Sequence, residues 1–127
     1  MIKASQSDNA STDYPESVGR NMESWAKDTQ AQALRLELAD ESCYLFPYAH
    51  LIFASLERSD NEELLRVSFT THEIHIHGRN LRSLALAVQK LSVDWIRELP
   101  SRYQELAIPD GTLATKIKVK VSVAEAE

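Results

Sequence analysis

The sequence holds one cysteine, Cys43, three glycines and four prolines in 127 residues. A single cysteine cannot close an internal disulfide, so a bridged scaffold is excluded and a reducing cytoplasm is the expected setting. The glycines, Gly19, Gly78 and Gly111, do not supply the glycine-rich loop that the usual nucleotide-binding sites need. No run approaches about 18 apolar residues, so no membrane-spanning helix is expected. The opening stretch, MIKASQSDNASTDYPESVGR, lacks the apolar segment of a secretory signal. Positive charge is in deficit: Lys plus Arg number 14 against 19 Asp plus Glu, a net charge of -5. A protein that coats nucleic acid through many phosphate contacts needs the reverse, so nucleic acid is a disfavoured partner.

What is present is ordinary globular composition, 43% hydrophobic and 26% charged. A chain of this length buries roughly two thirds of the surface its unfolded form exposes, enough to fold without a metal. Residues 1–20 are rich in Ser, Asp and Asn with few large apolar side chains, so they are expected to form a mobile tail. Residues 21–127 then make a single domain, with its core in 33–99 and a late strand near 115–122. Asn21 suits a helix N-cap, and MESWAKDTQAQ is expected to be a short helix with Met22, Trp25 and Ala26 facing the body.

Alternation marks the strands. In ALRLELAD, Leu34, Leu36 and Leu38 face one way while Arg35 and Glu37 face the other. A turn at ADES leads to CYLFPY, where Tyr44, Phe46 and Tyr48 share a face and Pro47 forces a bend or an edge. A hairpin spans Leu51 to Phe69, turning at Ser59, Asp60 and Asn61. HEIHIHG follows as a continuation or a further strand, ended by Gly78. In NLRSLALAVQKL, Leu81, Leu84, Val88 and Leu91 form an apolar stripe at helical spacing, with Asn80 as N-cap. Beyond Leu91 the stripe either continues to Trp95 as one long helix or gives way to an extended segment with Val93 and Trp95 on one face, and the residue types favour the second. KIKVKVSV alternates Ile117, Val119 and Val121 against Lys116, Lys118 and Lys120. The fold class is α+β: an antiparallel sheet of about five strands with one main amphipathic helix packed on it. The alternative architecture is a small Sm-like or pleckstrin-like barrel, since short meandering strands also close.

Two groups of residues suggest chemistry. Strand periodicity puts Glu73, His75 and His77 on one face, with steps of about 7 Å, and Ile74 and Ile76 on the other with His72. Two imidazoles and a carboxylate suit zinc or another divalent transition metal, with His50 as a further ligand from a neighbouring strand. The competing reading makes the isoleucines the core face and the histidines the wet face of one strand, with no cofactor at all. The second group is Arg79, Asn80 and Arg82. Two guanidiniums beside a helix start, where free N–H groups carry positive potential, suit a phosphate or carboxylate. Gly78 and Asn80 are equally an ordinary passage from strand to helix.

Other features read as structure. Cys43 sits among large apolar residues and lacks a base nearby in sequence, so it is not expected to be a nucleophile. Tyr44, Phe46, Tyr48 and Phe53 read as core. The lysines of KIKVKVSV either meet an anionic partner, guard a sheet edge, or mark a strand that pairs with another subunit. No catalytic residue is assigned. The expected function is a small soluble non-enzymatic binding module for another protein or for a second copy of the chain. A metal protein built on Glu73, His75 and His77, or an anion or nucleic-acid binder at Arg79, Asn80 and Arg82, are the alternatives.

Overall fold

The computed structural model describes residues 22–106 and 111–122. The expected tail and the Asn21 cap lie outside them. Among the described residues the chain forms β1 (Trp25–Lys27), β2 (Ala33–Glu37), β3 (Cys43–Pro47), β4 (Leu51–Ser59), β5 (Glu62–Phe69), β6 (His72–Arg79), α1 (Arg82–Gln89), β7 (Val93–Arg97) and β8 (Leu113–Val121). The strands make two four-stranded sheets, ordered β1-β7-β2-β3 and β4-β5-β6-β8. Two sheets thus stand where the alternation predicts one antiparallel sheet of about five strands. Among the described residues no ladder joins the two sheets into a barrel. The class remains α+β, with strand predominating.

The division has local causes. Pro47 lacks the N–H for a longer ladder, and the 3-10 turn Tyr48–His50 after it carries the chain from the first sheet to the second. The long crossover through α1 lets β7 return beside β2 in parallel, Arg35 opposite Trp95 and Glu37 opposite Arg97. The stretch expected to be a helix is instead β1, with Trp25 opposite Ile96. Asp28 ends it: its carboxylate accepts from the Gln30 N–H at 2.9 Å, and its carbonyl from the Ala31 N–H at 3.0 Å. An isolated helix that short is marginal, and pairing with β7 satisfies the same backbone groups.

Both sheets and α1 share one core. Leu34, Leu36 and Phe46 come from the first sheet, Leu65, Val67, Ile74, Ile76 and Ile117 from the second, and Leu84 and Val88 from α1. Phe46 stacks on Phe69 across the sheets with ring centroids 4.9 Å apart. At the other end Glu98 ties them together: one carboxylate oxygen accepts from the Ala39 N–H at 2.8 Å, the other from the Ile117 N–H at 3.2 Å. The buried Tyr48 hydroxyl donates to the Val93 carbonyl at 2.7 Å, and burial raises its pKa to about 12.

Three details differ from expectation. Gly78 does not end β6, which runs on to Arg79. The β6–β8 register shifts there, and a Cβ on Gly78 would stand 1.8 Å from the Leu113 carbonyl oxygen. Leu91 leaves the buried stripe, at 42% exposure. It takes a left-handed φ of 53°, with its N–H bonded to the Val88 carbonyl and the Ser92 N–H to the Ala87 carbonyl, a helix end that usually carries glycine. In β7 it is Val93 and Ile96 that are buried, because the pairing with β1 shifts register between Ala26 and Lys27. Trp95 faces out, beneath the Arg97 guanidinium at 5.1 Å.

Candidate functional site

Strand β6 carries Glu73, His75 and His77 on the outer face of the second sheet, while Ile74 and Ile76 are fully buried. Register defines their neighbours. His75 lies between Arg66 of β5 and Lys118 of β8; Glu73 lies between Ser68 and Lys120; His77 lies between Leu64 and Lys116. His75 Nε2 is 2.9 Å from Glu73 Oε2, and Arg66 approaches the same oxygen at 3.6 Å. The bond from His75 holds the Glu73 carboxyl below its ordinary pKa. His77 Nδ1 turns to Glu62 instead, at 3.7 Å. His50 sits exposed in the turn before β4, with β5 between it and β6. His72 faces inward, its ring edge on Phe46 with centroids 5.3 Å apart.

The four proposed metal ligands are therefore not brought together. Among the described residues no group of three or more His, Cys, Asp or Glu is placed to hold a metal ion. Cations flank His75 on both sides, where a metal would meet repulsion.

The second group is placed at the start of α1, but its roles are exchanged. Asn80 does not cap the helix. The cap position is Leu81, which has no side-chain cap bond, and Asn80 has a left-handed φ of 54°. Its side-chain amide donates to the Gly111 carbonyl at 3.2 Å, and its own carbonyl accepts from the Thr112 hydroxyl at 2.7 Å. Glu63 of β5 supplies the anion instead: its carboxylate accepts from the Leu81 N–H at 2.7 Å, with Arg58 3.6 Å away. Arg79 and Arg82 are exposed, and the shallow hollow beside Arg79 also contains Asp60, Glu62 and Glu63. Arg58 lines it too, so an anion from outside would meet three carboxylates against two guanidiniums.

A third place was not singled out by the sequence. β4 forms one edge of the second sheet. Its run Leu51–Leu56 bears no charge, and Ile52 and Phe53 are 61% and 55% exposed. Phe53 was expected in the core. It lies outside because a bulge between Leu51 and Phe53 throws both side chains outward. Tyr44, also expected in the core, is likewise partly exposed. Beside β4 an apolar groove of about 370 Å³ opens toward α1, walled by Ala54, Leu56, Leu65, Ala85 and Val88. The opposite edge, β8, carries Lys116, Lys118 and Lys120, all exposed. The uncharged run was visible in the sequence; its position at an edge was not.

Cys43 is exposed at the start of β3. No helix among the described residues is long and apolar enough to cross a membrane. Comparison with protein-family models, with curated proteins and with solved structures returns no match.

Proposed function

We propose that this protein is a small non-enzymatic binding module that takes a strand of protein at the β4 edge. The carrying observation is the contrast among the four sheet edges. An exposed edge presents unpaired N–H and C=O groups, and proteins blunt such edges with short strands, proline or lysine. β1 has three residues, β3 has five and ends in Pro47, and β8 carries its lysines. β4 has nine residues, no proline, and no charge before Glu57. Its bulge interrupts pairing only at Ile52, leaving Phe53–Ser59 in regular register with β5. An added strand would gain backbone hydrogen bonds from the edge and bury side chains in the groove toward α1. The exposed Cys43 thiol suits a reducing compartment, and on that ground we assign the module to the cytoplasm.

The test is selection from a displayed library of random peptides against the whole protein. Enriched peptides should have alternating apolar residues. They should lose binding to Phe53→Lys and keep binding to Lys118→Ala. Failure to enrich any peptide, or enrichment that ignores Phe53→Lys, contradicts the reading.

A further inference from the structure

We infer that a second copy of this chain occupies the β4 edge, pairing β4 with β4 antiparallel about a two-fold axis at Ser55. This rests on the strand-docking reading above and names its occupant. A two-fold contact sets a strand against itself, so the strand must be compatible with its own sequence read backward. Around Ser55 the opposed pairs become Ala54 with Leu56 and Phe53 with Glu57, and the bulge at Ile52 ends the regular pairing before Arg58. No two charges of one sign meet. The same operation at the other edge fails: a two-fold axis at Lys118 sets Lys118 against itself and Lys116 against Lys120.

The faces agree as well. Ala54 and Leu56 pair with the buried Val67 and Leu65, so they lie on the inner side, where the groove opens. Placing Ala54 of each copy beside Leu56 of the other joins the two grooves into one apolar seam under a continuous eight-stranded sheet. The bulge at Ile52 falls outside the central pairs, so it does not interrupt them.

The axis residue provides the test. Residues directly opposed across an antiparallel pair have Cα atoms about 4.5–5.5 Å apart, within reach of a disulfide. In the whole chain with Cys43→Ser, Ser55→Cys should oxidise to a covalent dimer, while Lys118→Cys in the same background should remain monomeric. Sedimentation of the unaltered protein should show a concentration-dependent dimer. Ser55→Asp, which opposes two carboxylates, should weaken that dimer about five-fold or more without altering the far-ultraviolet spectrum. A monomer at every concentration with no Ser55→Cys dimer overturns the inference, as does cross-linking that favours Lys118→Cys. If the chain is monomeric yet still selects peptides sensitive to Phe53→Lys, self-pairing alone is lost. If neither behaviour is seen, the docking edge is lost with it.

Discussion

The two edges of the second sheet, β4 and β8, have nine residues each and the same hydrogen-bonding potential, yet they are built oppositely. From Lys116 to Lys120, β8 alternates an exposed lysine with a buried or half-buried apolar residue. β4 is uncharged over six residues and turns Ile52 and Phe53 to water. Lysine at an edge makes every incoming strand desolvate a charge. Its absence on β4 therefore distinguishes an edge left available from one that is closed. The comparison also accounts for the histidines. His75 and His77 belong to β6, an interior strand whose outer face lies beside the lysines, where His75 bonds to Glu73 and Arg66 approaches the same carboxylate.

The largest expected effect comes from breaking the attachment of the guarded edge. Gly78 lets β8 approach β6 so closely that a methyl group would overlap the Leu113 carbonyl. Gly78→Ala should cost about 3 kcal/mol or more, read as a lowered urea midpoint. A change smaller than about 1 kcal/mol would mean that the bulge relaxes freely.

Reversing the guard sharpens the comparison next. Replacing Lys116, Lys118 and Lys120 together by valine should turn β8 into a second adhesive edge. The protein should then associate beyond a dimer in light scattering, with the urea midpoint changed far less than in Gly78→Ala. A variant as soluble as the parent would show that the lysines do not guard the edge.

The wall of the β4 groove can be loosened separately. Glu63 holds the first turn of α1, so Glu63→Ala should cost about 1 kcal/mol, as loss of a helix cap does. Amide exchange in the first turn of α1 should quicken. Unchanged exchange there would remove Glu63 from that role.

The smallest effect concerns the face between the edges. The bond from His75 depresses the pKa of Glu73, so its contribution is present above the ordinary carboxylate range and is lost as pH falls through the folded value. Glu73→Gln should be slightly less stable than the parent near neutral pH, and the difference should vanish once pH falls below the depressed folded-state value. An equal deficit at both would show that the bond does not act through charge.

Much of the second sheet was legible because its strands keep a strict two-residue period. Ile74 and Ile76, and Ile117 in the late strand, are buried as their alternation requires. Leu84 and Val88 are likewise where helical spacing puts them. What was not legible depends on distant partners. Nothing near Trp25 announces that Ile96 will pair with it. Nothing near Asn80 announces that a carboxylate 18 residues before Leu81 will hold the helix start. Leu91 fits the stripe by spacing and leaves it only because the helix ends in a left-handed turn. For the same reason the candidate sites divide. The common face of Glu73, His75 and His77 followed from periodicity, while the cations beside them and the edge status of β4 came from strand order.

Amide hydrogen exchange on the whole chain, at rising protein concentration and again with a selected peptide added, tests the central claim most directly. Exchange at β4 amides should slow under at least one of these conditions and stay unchanged at β8 under both. Slowing on β8, or no slowing on β4 under either condition, would contradict it.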